Sequence, residues 1–506
     1  MDAEILARWQ FGITTVYHFF FVPITIALSM LVAVMQTIWV RRGDVQFLRL
    51  TRFFGNLFLI NFAMGVVTGI VQEFQFGMNW SEYSRFVGDI FGAPLALEAL
   101  IAFFLESTFI GLWIFGWDKL PPKLHLLTIY LSAIGTMISA VFILAANSWM
   151  QNPVGATYRN GRAELTDFGA VLTNPVLLTA FPHVIFGAYM TAGGMVAGIC
   201  GLHLARMNRE HAEGEVVRNG RTLTADEVAA DLRTYRWGAK FGAWVLLVAS
   251  VFTVVSGDAQ GKIMTEVQPM KMAAAEALYQ TAQPASFSIF TIGTLNGSRE
   301  VFSIRLPHVL SFLATANLNG KVAGINDINA QYQKEGFRRD NGTQTELQKT
   351  YLSTVQKESV KFVPNIPVTY WTFRIMMGLG FLGMLVALWI LVALRRGRIP
   401  TPNPLWIWAM RVLPFLPLFA ISFGWIFTEM GRQPWIVAGV LPTFTAVSPG
   451  VSTFEVALTM VLYTLLYGVL AVVEFGLIIK YHRLGLPDVT PPVVSTDEDS
   501  PLSFAY

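Results

Sequence analysis

The sequence has almost no cysteine and little charge, and these two shortages exclude several kinds of protein. Cys200 is the single cysteine among 506 residues, so neither an internal disulfide nor a cysteine-rich metal site is possible. Only 14% of the residues are charged, whereas soluble domains carry about 25%. The formal net charge of +3 is too small and too evenly spread for a nucleic-acid-binding surface. A soluble enzyme and a nucleic-acid-binding protein are therefore both disfavoured.

Long apolar runs take up much of the chain, in which 54% of the residues are apolar. A helix needs about 20 predominantly apolar residues to cross a membrane. Nine stretches nearly free of charge meet or approach this length: 9–40, 53–72, 90–117, 124–150, 175–205, 241–257, 366–394, 412–428 and 454–479. The sequence predicts an all-α polytopic membrane helix bundle with about nine transmembrane helices. The first is expected to stay in the mature protein, because its leader is acidic and no cleavage site follows.

Lysine and arginine predict the orientation of this bundle, because they accumulate in cytoplasmic loops. The short segments after the odd-numbered spans contain 19 of them, and those on the opposite side contain five. We therefore expect the N-terminus outside and the C-terminus in the cytoplasm. The predicted parts are transmembrane helices 1–6 in residues 1–257, an extracytoplasmic loop in 258–365, transmembrane helices 7–9 in 366–485 and a cytoplasmic tail in 486–506.

The segments between spans contain some local signals. In the charged cytoplasmic loop 206–240, Thr224-Ala-Asp-Glu227 has the capping-box spacing that begins a helix. In the outer loop, 270–280 and 345–361 are predicted to be helical. The proline- and acid-rich residues 486–501 are predicted to be disordered.

Two histidines lie inside predicted spans, where an ionisable group is costly and is a functional hypothesis by default. His18 lies among aromatic residues in span one, and His183 follows Phe181-Pro182 in the glycine-rich span five. An imidazole beside an aromatic or small-residue wall is suited to haem binding. The alternative for both is a histidine hydrogen-bonded to a neighbouring helix, which for His183 alone is the more common case.

Two carboxylates in span three, Glu98 and Glu106, are eight residues apart. In a regular α-helix they would be rotated by about 80° and separated by about 12 Å along the axis. This spacing favours a proton relay, bridged by water or Ser107, over a paired-carboxylate hydrolase. Two separate interhelical hydrogen bonds are the alternative.

Two strings in the last third of the chain combine charge with possible iron ligands. Phe373-Arg-Ile-Met-Met377 puts Arg374 inside span seven, where it needs an anion such as a haem propionate. Met376 by itself is more typical of packing. Span eight ends in Trp425-Ile-Phe-Thr-Glu429-Met-Gly-Arg-Gln-Pro-Trp435, whose Gly-Arg-Gln-Pro-Trp part is specific, although glycine and proline can simply end a helix.

Five of these side chains share one predicted depth. On the expected topology, His18, Glu98, His183, Met376 and Glu429 all lie within about 10–17 Å of the outer surface, at 1.5 Å per helical residue. Scattered structural polar groups would not be expected to share a depth. One layer of ligands near the outer face fits better.

At these residues the sequence resembles subunit I of cytochrome bd-type quinol oxidases. The resemblance runs in the family's order over nearly the whole chain, through Tyr17-His18-Phe19, Gln72-Glu-Phe-Gln-Phe-Gly77, Gly88-Asp-Ile-Phe-Gly-Ala-Pro-Leu-Ala-Leu-Glu98, Ala102-Phe-Phe-Leu-Glu-Ser107, Trp149-Met-Gln-Asn-Pro153, Phe373-Arg-Ile-Met376 and Gly431-Arg-Gln-Pro-Trp435. The outer loop is compact, as in the family's short-loop members.

The resemblance implies two haem b groups, one low-spin and one high-spin, and one haem d. It implies that His183 and Met376 are the axial ligands of the low-spin haem, with Arg374 beside it, and that His18 and Glu429 are ligands of the two high-spin haems, in an assignment that stays open. It also implies that Trp425 lies between haems and that Arg8 and Arg432 meet propionates. Finally, it implies that Glu98 lies at the oxygen-reducing haem, that Glu106 is on the proton route, and that Lys271 and Glu276 form the quinol-site pair on neighbouring helix faces.

The function implied is that of a multi-pass respiratory oxidase in the inner (plasma) membrane of a bacterium. It would oxidise membrane quinol near the outer face, reduce oxygen to water with cytoplasmic protons, and generate a proton motive force without pumping. The implied partners are a second large subunit and often a small single-span one, with no nucleic acid. The alternatives are a related quinol oxidase with haem b in place of haem d and, from another class, a proton or cation transporter.

Overall fold

The computed structural model describes residues 3–218, 221–351, 360–399 and 403–492. Within them nine helical segments are long and apolar enough to cross a membrane, and they coincide with the nine predicted stretches. The helices are α1 (Ala3–His18), α2 (Phe21–Arg42), α3 (Val45–Met78), α4 (Ser81–Leu97), α5 (Phe104–Phe115), α6 (Pro122–Gln151), α7 (Phe168–Leu172), α8 (Pro175–Glu213), α9 (Ala225–Val267), α10 (Pro269–Ala275), α11 (Val309–Thr315), α12 (Ile325–Glu335), α13 (Glu346–Tyr351), α14 (Ile366–Ala393), α15 (Pro404–Val412), α16 (Phe415–Arg432) and α17 (Thr453–Leu484).

Short antiparallel hairpins occupy the connections between these helices. They are β1 (Ala156–Arg159) with β2 (Arg162–Leu165), β3 (Val217–Arg218) with β4 (Arg221–Thr222), β5 (Phe287–Gly293) with β6 (Glu300–Leu306), and β7 (Trp435–Val437) with β8 (Leu441–Pro442). Each joins neighbouring parts of the chain, so the helices alone form the bundle. The predicted membrane helix bundle is confirmed.

The first predicted span is interrupted immediately after His18. Helix α1 ends at His18 and α2 begins at Phe21. Pro23 explains the break, because proline has no N–H to donate to the carbonyl four residues earlier and its ring clashes with that carbonyl, which belongs to Phe19. The break leaves the imidazole at a helix end.

The third predicted span contains a π-helical turn between its two carboxylates. Residues Glu98–Phe103 form this turn, and α5 continues from Phe104. A π-helix has a wider turn than an α-helix, so the offset of Glu98 from Glu106 expected for regular geometry does not apply. Such turns occur often at functional sites.

The segment 206–240, predicted to be a cytoplasmic loop, is mostly helix. Helix α8 continues to Glu213 because its charged end forms i,i+4 ion pairs, such as Arg206 with Glu210 at 2.6 Å. Helix α9 begins after Thr224, whose hydroxyl accepts from the Glu227 N–H at 3.3 Å while the Glu227 carboxylate accepts from the Thr224 N–H at 2.8 Å. The predicted capping box is confirmed.

Two other local predictions are changed, and a third is confirmed only over its described part. Helix α10 ends at Ala275 and so is shorter than 270–280, and α13 covers Glu346–Tyr351, while 352–359 lie outside the described residues. The start of the tail is packed rather than disordered: Leu486 is fully buried and its N–H donates to the Tyr235 hydroxyl at 3.0 Å. Residues 493–501 lie outside the described part.

Helices α8 and α9 form the centre of the bundle. Their contact is close because small residues face each other: a Cβ added at Gly193 would lie 2.8 Å from the carbonyl oxygen of Gly242. Helix α8 also packs against α2, α6, α15 and α16. His183 is therefore held on the most enclosed helix of the protein.

Candidate functional site

His18 lies with its ring against α3. Its Nδ1 atom is 2.9 Å from Thr68 Oγ1, and that hydroxyl is 2.9 Å from the carbonyl oxygen of Met64. A hydroxyl has one proton, so a threonine that donates to the carbonyl must accept from the imidazole N–H. In the neutral ring, this hydrogen bond places the lone pair on Nε2, the atom that can bind a metal.

His183 has the same arrangement on α8. Its Nδ1 atom lies 3.1 Å from the carbonyl oxygen of Thr253 on α9. A carbonyl can only accept, so Nδ1 carries a proton, and in the neutral ring Nε2 carries the lone pair. The ring edge lies against Gly257, where an added Cβ would be 3.1 Å from Cε1. Neither histidine makes a hydrogen bond through Nε2 within the described residues.

Met376 lies between α14 and α16. A Cβ added at Gly424 would be 2.9 Å from the Met376 sulfur, so glycine at this position leaves space for the thioether. The sulfur therefore faces α16, whereas the His183 ring faces α9, and both of these helices pack against α8. The two predicted axial ligands lie on neighbouring helices, with no direct contact between them among the described residues.

Glu429, near the end of α16, is held by two side chains. Asn147 donates to one carboxylate oxygen at 3.1 Å, and Arg432 pairs with the other. Arg432 is only 5% exposed, and its Nε and Nη1 make no hydrogen bond within the described residues. Unsatisfied buried N–H groups are costly, so this guanidinium is suited to a further anion.

Arg374 is the second buried guanidinium. Its Nη2 lies 2.8 Å from Glu276 Oε2, and its Cζ lies 4.6 Å from the ring centre of Phe287. Nε and Nη1 have no hydrogen-bond partner in the described part of the chain. The arginine predicted to bind a propionate therefore already pairs with the Glu276 carboxylate, and its remaining N–H groups can bind a second anion.

Aromatic and arginine side chains connect α1 with α16. Trp425 meets the Phe19 ring edge-on, with ring centroids 4.7 Å apart. Arg8 donates to Gln433 at 3.1 Å and lies 3.6 Å from Glu4. The His18 region and the Gly431-Arg-Gln-Pro-Trp435 string therefore adjoin each other, although they are separated by some 400 residues in sequence.

These residues fit haem. Neutral imidazoles with a free Nε2, a thioether and a carboxylate are side chains that haem iron accepts. The unsatisfied N–H groups of Arg374 and Arg432 suit propionate carboxylates. The possible iron ligands and the buried arginines belong to different helices, so a haem site would be formed by several spans together.

Lys271 and Glu276 each have their own polar partners. Lys271 Nζ lies 3.1 Å from Gln151 Oε1, and burial lowers its pKa to about 7, with Glu429 opposing this shift. The Glu276 carboxylate accepts from the Ser288 N–H at 3.0 Å. Burial raises the pKa of Glu276, and the pairing with Arg374 acts against that rise. Lys271 lies within α10 and Glu276 directly follows it, and the two side chains have different polar partners.

A small cavity joins Lys271 to the end of α16. Its lining includes Lys271, Arg432, Gln433 and Trp435, and Tyr332 of α12 covers it from the outer loop. The specific string of span eight therefore lies directly beneath the outer loop.

The carboxylates of span three lie close to other polar groups. Ser139 on α6 donates to Glu98 at 2.7 Å, while the expected bridge Ser107 is exposed and bonds to the Phe104 carbonyl at 3.3 Å. Glu106 is 7% exposed. Both Glu106 and the exposed Glu73 on α3 lie within electrostatic range of Glu98.

Known proteins resemble this chain over nearly its whole length. The family model described as cytochrome bd terminal oxidase subunit I matches residues 6–486. The chain is 41% identical over 490 residues to cytochrome bd ubiquinol oxidase subunit 1 of Bacillus subtilis (strain 168), covering 96% of this chain and 94% of that protein. It is 38% identical over 522 residues to cytochrome bd-II ubiquinol oxidase subunit 1 of Escherichia coli (strain K12), covering 96% and 97%.

This chain belongs to the cytochrome bd terminal oxidase subunit I family. The solved structure of bd oxidase from Geobacillus thermodenitrificans has the same fold, with a TM-score of 0.79 and 26% identity over 95% of this chain and 98% of that one. The protein is an oxidoreductase subunit, and the transporter alternative is set aside. A cytochrome carries haem, in agreement with the donors described above.

Several polar residues of this bd-type subunit were missed by the sequence analysis. Thr68 and Thr253 orient the two histidines, and Asn147 holds Glu429. A hydroxyl or a backbone carbonyl has no sequence signal of its own. Glu474 on α17 is 8% exposed and lies within electrostatic range of Tyr17. Its position inside an apolar span was a sequence signal that could have identified it.

Proposed function

We propose that this chain is the haem-carrying subunit of a bacterial inner-membrane quinol oxidase that reduces oxygen to water. A second large subunit, often with a small single-span one, completes the complex. Two haem b groups, one low-spin and one high-spin, and one haem d supply the electron path and the iron that binds oxygen. His183 and Met376 would hold the low-spin group, and His18 and Glu429 the other two.

The contact of Glu276 with Arg374 is the observation that carries this proposal. Glu276 belongs to the outer loop of residues 258–365, and Arg374 lies two residues before Met376 on α14. A quinol that meets the loop carboxylate is therefore near the helix that provides a haem ligand. This short distance favours electron entry from the outer face.

Quinol oxidation requires groups that accept protons and orient the ring oxygens. Glu276 is the proposed general base, because burial raises its pKa while Arg374 keeps the charged form accessible. Lys271, with a pKa near 7, is the proposed donor to a quinol oxygen. The protons taken from quinol leave on the outer side.

Oxygen reduction requires protons from the opposite side. On the predicted topology the ligand layer lies near the outer face, so these protons cross most of the bilayer from the cytoplasm. Glu106 and then Glu98, held by Ser139, are the proposed last carriers. Each charge moved in this way stores about 2.3 kcal/mol per 100 mV, so a proton motive force arises without a pump.

A reduced-minus-oxidised spectrum with haem extraction tests the proposal on the purified complex. We expect low-spin b bands, a chlorin band from haem d, and quinol-dependent oxygen consumption. A complex with b bands and no chlorin would be the haem b relative instead. A complex with no haem bands would refute the oxidase function.

A further inference from the structure

The β5–β6 hairpin of the outer loop has polar residues inside and apolar residues outside. Ser288 and Thr291 are buried, and the Ser288 hydroxyl lies 2.7 Å from both the Thr291 and the Tyr370 hydroxyls. On the other face five apolar side chains are 36–53% exposed: Phe290, Ile292, Phe302, Ile304 and Leu306. A hairpin in water shows the reverse pattern. The exposed face therefore suits an apolar environment.

The charged residues of the two strands do not interrupt this face. Glu300 and Arg305 are the charged residues of β5 and β6, and they pair with each other at 2.6 Å. Arg305 also donates to the carbonyl oxygen of Ala277 at 3.0 Å. The strands thus satisfy their charges within the protein.

The hairpin runs alongside the outer end of α14. At its turn, a Cβ added to Gly297 would lie 3.1 Å from both Ile366 and Pro367, at the start of the helix. At its base, Phe287 lies under the Arg374 guanidinium. Ile366 and Arg374 are eight residues apart, which is about 12 Å along a helix. The hairpin therefore descends beside the outer third of a membrane-spanning helix.

Trp371 marks the level of the hairpin on this helix. It is 37% exposed, and its ring centroid lies 5.4 Å from that of Phe290. Tryptophan is enriched where membrane helices cross the boundary between water and lipid. The hairpin therefore lies at the height of that boundary.

We propose that the apolar face of this hairpin lies in the outer leaflet of the membrane, at the level of the headgroups and upper acyl chains. A large exposed apolar patch marks an interaction surface. The edges of a two-stranded hairpin have unpaired backbone N–H and C=O groups, which need water. The hairpin therefore cannot lie in the dry hydrocarbon core, but it can lie in the hydrated headgroup region. The turn residues Asn296, Ser298 and Arg299 then reach the outer aqueous phase. The hairpin anchors the outer loop to lipid, independently of the proposed function.

Spin labelling of the intact oxidase complex in lipid nanodiscs tests this proposal. Nitroxides are attached at Phe302→Cys and Ile304→Cys, and the unsubstituted complex gives the background signal, since Cys200 is buried. Gln333→Cys, exposed on α12 of the same loop, is the water control, and Leu385→Cys, 58% exposed on α14, is the lipid control. An unchanged haem spectrum verifies the folding of each variant.

The measured quantity is the ratio of label collisions with oxygen to collisions with a water-soluble nickel chelate. We expect this ratio at residues 302 and 304 to exceed that at residue 333 several-fold and to approach that at residue 385. A ratio equal to that at residue 333 would place the hairpin in water. Labels that are immobile and shielded from both reagents would show a protein partner on this face. Either result would overturn the proposal.

Discussion

The Phe19 ring meets the Trp425 indole edge-on, with centroids 4.7 Å apart. Phe19 directly follows His18, and Trp425 is one helical turn before Glu429 on α16. The proposed ligands of the two high-spin haems are therefore carried by elements in direct contact. A compact pair of haem sites is the arrangement that this contact favours.

His183→Ala is expected to abolish the low-spin b spectrum and leave the high-spin bands. The reason is the loss of the imidazole Nε2, the proposed iron ligand. The Thr253 carbonyl accepts from Nδ1 and so leaves Nε2 for the iron. A reduced-minus-oxidised spectrum measures this change. His203→Ala is the matched control, because His203 lies at the far end of the same helix, and it should retain the spectrum. Survival of the low-spin signal in His183→Ala would exclude this ligand.

Thr68→Val is expected to weaken the haem site at His18 without removing the imidazole. Groups that orient a metal-binding histidine typically contribute about 10–100-fold to affinity or activity. Haem content and the high-spin spectrum are the measurements. Thr68→Ser, which keeps the hydroxyl, should resemble the unsubstituted protein. Equal behaviour of the valine and serine variants would remove Thr68 from the site.

Glu276→Gln is expected to slow quinol oxidation by about 10²–10⁴-fold, the usual contribution of a general base. Oxygen reduction driven by an artificial electron donor should persist, because the haem ligands are untouched. Glu300→Gln, on the neighbouring hairpin, is the control and should keep quinol turnover. Equal losses with both donors would contradict a quinol-site role for Glu276.

Lys271 is expected to give quinol binding a pH dependence near neutrality. Its pKa is lowered to about 7 by burial, so the group is a charged donor below this pH and neutral above it. A charge-assisted hydrogen bond contributes about 1.5–3 kcal/mol, so the KM for quinol should rise about tenfold or more as the pH increases through 7.

The control for this pH profile is a second lysine of the outer region. Lys271→Met should have a high KM at every pH, whereas Lys262→Met should keep the unsubstituted profile, because Lys262 pairs with Asp258 instead. An unaltered profile in Lys271→Met would assign the titration to another group.

Ser139→Ala is expected to slow proton delivery at the oxygen-reducing site, and Ser107→Ala is not. Ser139 donates to Glu98 at 2.7 Å, while the exposed Ser107 bonds only to a backbone carbonyl among the described residues. Flow-flash re-oxidation of the reduced complex measures the step, and Glu106→Gln should show a larger slowing. If Ser107→Ala were the slower of the two serine variants, the result would instead support Ser107 as the bridge between Glu98 and Glu106.

Local signals were sufficient for the membrane spans. Apolar length depends only on neighbouring residues, so the nine segments were predictable, and so was the capping box at Thr224. The break after His18 followed from Pro23 but was not predicted, since proline is common inside membrane helices. The π-turn at Glu98 has no comparable sequence signal.

Contacts between distant residues were decided by the tertiary structure alone. By itself the sequence determined the bundle and the family and predicted the residues that would hold iron, because hydropathy and motif identity are properties of the chain. It could not pair Glu276 with Arg374 or direct Lys271 towards Gln151, since 98 and 120 residues separate these partners. Which buried charge meets which anion depends on how helices pack, and packing is a property of the folded bundle.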